Sequence, residues 1–110
     1  MRGAGMAGRD LVTPAVRAYV LLRDKRCFLA KIEEGHLCRD RWGRQHDSDD
    51  LERLTLDHVK DGPMMGRRAP SDPAHLVALC YSENVRGPSK VTRAAERSYL
   101  HEINDGKEKP

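Results

Sequence analysis

Apolar positions in the first half of the chain follow a helical spacing after a recognisable helix start. Thr13-Pro14 has the composition of an N-cap followed by proline at the first helical position. The helical spacing of the residues that follow predicts a helix over residues 14–24. These residues are Val16, Tyr19, Val20 and Arg23. Residues 27–32 are predicted to form a short extended segment, and the polar residues 33–52 a solvated loop.

The second half of the chain changes to an alternating pattern and then returns to a helical one. Residues 54–59 (Leu-Thr-Leu-Asp-His-Val) alternate and predict a strand, which ends at the turn Asp61-Gly62-Pro63. Residues 76–79 predict a second short strand. A helix begins near Ser82, is interrupted at Gly87-Pro88, and restarts with Ser89 as its N-cap over residues 89–104. This last helix has one predicted apolar stripe, formed by Val91, Ala95, Tyr99 and Ile103.

Composition indicates one small α+β domain with little apolar material for its core. Only 21 of the 110 residues are Leu, Ile, Val or Phe, while the net charge is +3. Such small domains often need a metal or disulfides to fold. We expect a flexible leader over residues 1–12, a single domain over residues 13–104 and a polar tail over residues 105–110. No apolar run in the chain exceeds six residues, which excludes a helical membrane span.

The cysteine content favours a metal site over disulfides. The chain has three cysteines, Cys27, Cys38 and Cys80, and an odd number argues against a secreted disulfide framework. The first residues contain no apolar stretch of the kind that signal peptides carry. We therefore expect a cytoplasmic protein, and in a reducing compartment cysteine and histidine more often bind metal than form bridges. The alternative is three free buried cysteines that act as small apolar side chains.

The predicted strand over residues 54–59 carries an Asp-His pair, Asp57-His58. Phosphodiester hydrolysis needs a water nucleophile, a base for its proton and a cation beside the scissile phosphate. A neutral imidazole can be that base near pH 7, and carboxylate and amide oxygens suit Mg²⁺. Adjacent residues of a strand point to opposite faces, so Asp57 and His58 can have different tasks. Asn84, which is 26 residues after His58, would add an oxygen ligand. Without further context, an Asp-His pair is more often an exposed pair at the end of a strand with no function.

The order of motifs around this pair resembles that of HNH endonucleases, the ββα-metal nucleases. The resemblance is carried by Leu54-Thr55-Leu56-Asp57-His58-Val59, a glycine-bearing loop, and His75-Leu76-Val77-Ala78-Leu79-Cys80-x-x-x-Asn84-x-Arg86-Gly87-x-x-Lys90. Over residues 14–104 the chain is similar to small phage-encoded members. The resemblance implies a ββα-metal fold preceded by an N-terminal helix.

The resemblance also implies a role for each motif residue. Asp57 and Asn84 would hold the catalytic divalent metal, Mg²⁺ or Mn²⁺, and His58 would be the general base that activates water. His75 occupies the position that is usually asparagine, where the family residue braces the loop beneath the metal through hydrogen bonds to the backbone. For His75 the alternative is a half-buried loop histidine without a role.

Many HNH domains also carry two Cys-x-x-Cys knuckles that bind a structural zinc ion, and this chain has a degenerate version. Cys80 matches the first place of the second knuckle, whose second place is Glu83, and the first knuckle is stretched to Cys27-x10-Cys38. Three thiolates and one nitrogen or oxygen donor make a tetrahedral zinc site. We expect His36 as the fourth ligand, because Cys₃His is a common structural set, with Glu83 as the alternative.

A group of basic residues near the motif predicts contact with the phosphates of DNA, in duplex form. The group consists of Arg67, Arg68, Arg86, Lys90, Arg93 and Arg97. Its alternative explanation is an ordinary solvated helix face. Trp42 alone is too little to predict base stacking.

Three functions therefore remain as hypotheses. The first is an HNH-type endonuclease or nickase, and the second is a zinc-stabilised nucleic-acid-binding module without catalysis. The third, suggested by the phage resemblance alone, is an accessory factor of DNA packaging that acts with a terminase in the host cytoplasm. The sequence leaves the oligomeric state open.

Overall fold

The computed structural model describes residues 12–60 and 70–106, which form an α+β fold of helices and two small antiparallel sheets. In chain order the elements are α1 (Pro14–Asp24), α2 (Phe28–Ile32), β1 (Cys38–Arg39), β2 (Gln45–His46), a 3₁₀ turn (Leu51–Arg53), β3 (Leu54–His58), a second 3₁₀ turn (Pro73–His75), β4 (Leu76–Cys80), α3 (Tyr81–Arg86) and α4 (Lys90–Gly106). The coarse α+β class predicted from the sequence is confirmed.

The hairpin of β3 and β4 forms the centre of the molecule. Its antiparallel register pairs Leu54 with Cys80 and His58 with Leu76. All five residues of β4 are buried, because helices pack over this strand. The core around it includes apolar residues of both strands together with Leu21, Phe28 and Leu100. Both strands lie where the sequence predicted them, β3 from its alternating pattern and β4 from a short apolar run.

Helix α1 begins as the sequence predicted. The hydroxyl oxygen of Thr13 accepts a hydrogen bond from the amide of Val16 at 3.1 Å, and Pro14 occupies the first turn. The helix is tied to β4 by its last two residues. Arg23 donates to the carbonyl oxygen of Leu76 at 2.6 Å, and the buried carboxylate of Asp24 accepts from the amide of Ala78 at 2.9 Å. These bonds fix the N-terminal helix against the central hairpin.

Two predictions between residues 27 and 52 are wrong. Residues 27–32 are not extended, because Phe28–Ile32 is a helix. Phe28 and Leu29 are adjacent and both buried, whereas adjacent side chains of a strand would point to opposite faces. Within the expected loop, β1 and β2 form a hairpin of two residues per strand, which is too short to show an alternating pattern.

Helix α4 differs from its prediction in the face that it buries. Ser89 caps the helix as expected, since its hydroxyl accepts from the amide of Thr92 at 3.1 Å. Val91, however, is 78% exposed, so its place in the predicted stripe is wrong. The buried positions are Thr92, Glu96 and Leu100, while Ala95, Tyr99 and Ile103 pack against the core at its edge. Because Thr92 and Glu96 are polar but buried, the buried face of α4 differs from the predicted apolar stripe. The spacing of apolar residues alone cannot reveal this difference.

The structure describes only part of each end of the chain. The helix extends to Gly106 rather than to residue 104. The leader predicted over residues 1–12 lies outside the described residues except for Val12, as do residues 107–110 of the predicted tail. No helix within the described part of the chain has the length and apolar character needed to cross a membrane.

Candidate functional site

Three buried cysteines and one histidine come together between the N-terminal helices and the central hairpin. The ligand atoms of Cys27, His36, Cys38 and Cys80 all lie within 4.8 Å of one another, and this cysteine cluster could hold a metal ion. All three cysteines are free thiols. Nε2 of His36 lies 3.5 Å from Sγ of Cys80. Three sulfur donors and one imidazole are a donor set of the kind that structural zinc uses.

Three separate segments supply these four ligands. Cys27 precedes α2 and its amide donates to the carbonyl oxygen of Ser48 at 2.8 Å, while Cys80 ends β4. Cys38 lies in β1, and His36 precedes that strand. The cluster therefore joins the N-terminal helices, the short hairpin and the central hairpin. This arrangement explains why a stretched first knuckle can still place its cysteines together.

The electrostatics of the cysteine cluster favour one thiolate among thiols. The pKa of Cys80 is lowered, first by the hydrogen bond from Cys27 and also by His36, although burial opposes this. The pKa of Cys27 is raised by the same hydrogen bond and by burial. Burial, followed by the charge of Cys80, raises the pKa of Cys38 to about 12. A bound metal cation would instead favour the thiolate form of all three cysteines, because metal ligation requires the deprotonated sulfur.

The alternative fourth ligand, Glu83, is engaged elsewhere. Its carboxylate forms an ion pair with Arg86, one turn later in α3. The group of potential metal ligands contains His36 and not Glu83. The geometry therefore supports the prediction of a Cys₃His donor set.

On the other side of the hairpin, Asp57 lies in a second polar cluster. The Nη1 atom of Arg93 in α4 donates to Oδ2 of Asp57 at 2.7 Å and to Oε1 of Glu96 at 2.9 Å. It also reaches the carbonyl oxygen of His58 at 3.3 Å. Asp57 is 4% exposed and Glu96 is fully buried. We call Asp57, Arg93 and Glu96 the carboxylate cluster.

Glu96 is the unusual member of the carboxylate cluster. Its Oε2 atom has no hydrogen-bond partner. Burial, together with the neighbouring carboxylate of Asp57, raises the pKa of Glu96 to about 9. The raised pKa favours the protonated form of Glu96, while Arg93 forms an ion pair with Asp57. One guanidinium thus compensates the charge of Asp57 inside the protein.

Asn84 projects from α3 onto the strand that carries the Asp-His pair. Its Nδ2 atom donates to Oγ1 of Thr55 at 2.9 Å and to the carbonyl oxygen of Leu56 at 3.0 Å. Because both donors face the strand, Oδ1 remains as an acceptor. Thr55 and Asp57 are two residues apart in β3, so they share a face. The structure thus brings Asn84 to the same face as Asp57.

The two histidines of the predicted site, His58 in the strand and His75 before the next strand, make different contacts. His58 is exposed, and its Nε2 lies 2.9 Å from Oγ of Ser71. Nδ1 of His75 lies 2.7 Å from a carboxylate oxygen of Asp72 in the same 3₁₀ turn. The bracing contact near His75 is made by its backbone, whose carbonyl oxygen accepts from the amide of Val59 at 2.8 Å. The ring contact therefore differs from the backbone contact that the resemblance implies.

The predicted DNA-contacting residues do not form one helical face. Arg86 ends α3, and Gly87, with φ of +90°, separates it from α4. Arg93 faces inward onto the carboxylate cluster, whereas Lys90 is exposed and Arg97 is partly exposed. Arg67 and Arg68 lie outside the described residues. Phosphate contact by these residues stays a prediction.

Sequence reasoning missed Glu96 and the inward role of Arg93. Their spacing of i and i+3 on a helix was the available signal, because such residues are neighbours on the helix surface. That spacing does not distinguish a solvated pair from a buried one. Searches of protein-family models, of curated proteins and of solved structures found no match to this chain.

Proposed function

We propose that this chain is a metal-dependent DNA endonuclease or nickase with an HNH-type, ββα-metal fold. The observation that carries the proposal is the contact of Asn84 with β3. The order β3, β4, α3 is a ββα unit, and its helix sets an amide against the strand that ends in Asp57-His58. A carboxylate, an imidazole and an amide are thereby placed on one small structural unit.

The oxygen donors at this strand suit a hard divalent cation. Oδ1 of Asn84 is free to act as a ligand, because both donors of the amide are used by Thr55 and Leu56. Asp57 would use its second oxygen, Oδ1, as the ligand, since Arg93 binds Oδ2. Mg²⁺ and Mn²⁺ accept one or two protein oxygens and keep water or phosphate as their other ligands. The residues therefore fit such an ion.

The proposed mechanism assigns one task to each side chain. A divalent ion, when bound, would stabilise charge on the scissile phosphate. Asp57 and Asn84 would hold it, and Arg93 would keep the carboxylate of Asp57 in a single orientation. His58 is exposed to water and would accept the proton of the attacking water molecule through a ring nitrogen. His75 would hold the strand end through the bond between its carbonyl oxygen and Val59.

The cysteine cluster is proposed to bind structural zinc. Its three thiols and one imidazole leave no place for a substrate, and the cluster is buried. Such closed four-ligand sites stabilise folds rather than catalyse reactions. Metal analysis of the purified protein tests this. We expect about one zinc ion per chain, and a content below about a tenth of that, without chelator treatment, would refute the zinc site.

DNA is the proposed partner, and the basic side chains near α4 would contact its phosphates. Lys90 and Arg97 are the members of that group that the structure leaves accessible on α4. Phosphate contacts of this kind position a nucleic acid without reading its sequence. A role beside a phage terminase would be compatible with the same activity.

Relaxation of supercoiled plasmid tests the proposal. Purified protein is expected to nick the plasmid when Mg²⁺ or Mn²⁺ is present and to be inactive without a divalent ion. One active site cuts one strand, so the open-circle form should precede the linear form. Binding of DNA without cleavage in any divalent metal would refute the nuclease proposal and favour a zinc-stabilised binding module.

A further inference from the structure

The short hairpin of β1 and β2 presents the single tryptophan of the chain at its tip. Trp42 is 70% exposed. The turn that carries it is held by Asp40, whose Oδ1 accepts from the amides of Trp42 at 2.9 Å and Arg44 at 3.0 Å. Gly43 adopts φ of +80°, a conformation that favours glycine. The backbone that presents the exposed indole is therefore a defined turn rather than a loose loop.

A cavity of about 600 Å³ opens beside this tryptophan. Its wall includes the aromatic side chains of Trp42 and Tyr81, the guanidinium groups of Arg17, Arg41 and Arg53, and the side chain of Thr55 in β3. The volume lies within the range of about 300–1,000 Å³ that is usual for small-molecule sites. Aromatic faces and guanidinium groups together are the features that bind nucleotides.

The charges of the cavity are only partly neutralised within the protein. Arg53 is bound to Asp40 at 3.1 Å and to Asp50 at 2.9 Å. The guanidinium of Arg41 lies over the Trp42 ring, 5.5 Å from its centroid, and is not paired with a carboxylate in the described chain. Arg17 donates to backbone carbonyl oxygens at 3.3 and 3.5 Å. Two arginines thus remain for an anionic ligand, opposed by the exposed carboxylate of Glu52.

Thr55 connects this cavity to the proposed nuclease site. It lines the cavity, and its hydroxyl oxygen accepts the hydrogen bond from the Asn84 amide. Thr55 and Asp57 are two positions apart in β3, which is a distance of about 7 Å. The cavity wall and the proposed metal ligand Asp57 are therefore neighbours on the same strand.

We infer that this cavity binds an unpaired nucleotide of the DNA beside the phosphodiester that is cut. The inference rests on the proposed nuclease function and specifies its substrate. The base would stack on Trp42, and Arg17 and Arg41 would contact the adjoining phosphate. Bases inside a continuous duplex are covered on both faces, so an exposed aromatic ring selects an unstacked one. A flap, a gap or a single strand supplies such a base, whereas a blunt duplex does not.

The emission of Trp42 is a direct probe, because the chain contains one tryptophan. Without added divalent metal, a single-stranded DNA of about 12 nucleotides is titrated into the protein, followed by the blunt duplex of the same sequence. We expect the single strand to quench the emission and the duplex to leave it unchanged. The affinities are measured in parallel by anisotropy of labelled DNA.

Substitutions locate the contact. Trp42→Ala is expected to weaken binding of the single strand by about tenfold or more, with Trp42→Phe intermediate. Arg41→Gln should also weaken binding, while Glu52→Gln should strengthen it by removing a repelling carboxylate. Arg26→Gln is the charge-matched control on another surface and should bind as the wild type does. The exposed Trp42 contributes little to the core, so melting temperatures should be unchanged.

Two results would overturn the inference. One is unchanged single-strand affinity in both Trp42→Ala and Arg41→Gln, and the other is equal quenching by the blunt duplex. If plasmid is nicked in either case, the nuclease proposal stands without this cavity. If the tryptophan-dependent binding is found but no divalent metal supports cleavage, the cavity stands and the nuclease proposal fails.

Discussion

The cysteine cluster and the carboxylate cluster lie on different sides of the central hairpin. They differ in how the charge of their buried polar groups is compensated. In the first, three thiols and one imidazole face one another and none of the four carries a fixed positive charge. In the second, the guanidinium of Arg93 already lies between Asp57 and Glu96. The first cluster therefore needs an added cation to be stable in its ionised form, whereas the second has its own.

Under the proposed function, this difference implies two kinds of metal binding in one small protein. A metal at the cysteine cluster would be enclosed and would add to the folding free energy. A metal at Asp57 and Asn84 would share a carboxylate with an arginine, so it would bind more weakly and exchange with solvent. The two clusters should therefore respond differently to substitution.

Removal of a thiol should affect folding more than any other single change. Cys80→Ser takes away a ligand that joins β4 to the N-terminal segments. Structural zinc sites in small domains contribute about 10–16 kcal/mol, which equals the whole stability of many domains. We expect loss of zinc and of a cooperative melting transition, measured by metal analysis and circular dichroism. The matched control is Ser82→Ala, whose hydroxyl lies 3.6 Å from Sγ of Cys80, and a cooperative, zinc-free Cys80→Ser protein would contradict the account.

Removal of the internal cation should destabilise the protein without affecting zinc content. Arg93→Ala leaves the buried Asp57 without its partner, and breaking a buried ion pair costs about 3–5 kcal/mol. The free energy of unfolding is measured by denaturant titration. Arg97→Ala, one turn later on the same helix and partly exposed, should lose far less. Equal stability of the two variants would show that the carboxylate cluster is not held by Arg93.

The metal requirement of cleavage should depend on the oxygen of residue 84. Asn84→Ala removes the proposed ligand, and we expect the Mn²⁺ concentration for half-maximal nicking to rise at least about tenfold. Asn84→Asp keeps an oxygen ligand but loses the amide hydrogen bonds to Thr55 and Leu56. We therefore expect a small loss of metal affinity and a larger loss in the free energy of unfolding. An unchanged metal requirement in Asn84→Ala would exclude Asn84 as a ligand. Zinc content should be the same in both variants.

The hairpin that presents Trp42 should be sensitive to acid. Burial opposes ionisation of Asp40, but the amides of Arg44 and Trp42 and the charge of Arg53 lower its pKa overall. A lowered pKa stabilises the fold above the usual aspartate pKa of about 3.9, and this contribution is lost as the pH falls through the lowered value. Asp40→Asn lacks the contribution at every pH.

Melting curves measure this smallest effect. Wild type should melt above Asp40→Asn at about pH 6, and the difference should shrink at about pH 3. A difference that stays constant over this range would show that the Asp40 charge does not hold the turn. Because acid also protonates the ligands of the cysteine cluster, wild type and Asp40→Asn are compared at equal zinc content.

The elements that the sequence predicted well are those with a repeated local signal. Thr13-Pro14 is a local helix start, and the alternation over residues 54–59 identifies β3. The hairpin of β1 and β2 has no such signal, since two residues cannot show a period. The fourth member of the cysteine cluster, His36, was expected from ligand chemistry rather than from spacing. The inward position of Arg93 depends on how α4 rotates against β3, which burial of Thr92 and Glu96 decides.

The site shows the same division between local and tertiary information. Asp57-His58 can be read from the sequence because one strand carries both residues. The contact of Asn84 with Thr55 depends on the packing of α3, and the cavity beside Trp42 depends on four separate segments. Local sequence therefore identified the candidate chemistry, while the neighbours of each group came from tertiary packing.

The most direct test of the central claim is the nicking rate of His58→Ala relative to wild type. Supercoiled plasmid is incubated with each protein in Mn²⁺, at equal concentrations of folded, zinc-containing chain, and His101→Ala serves as the surface-histidine control. The account predicts that His58→Ala is slower by about a hundredfold or more, as expected for loss of a general base, while the control keeps the wild-type rate. Equal nicking by wild type and His58→Ala would contradict it.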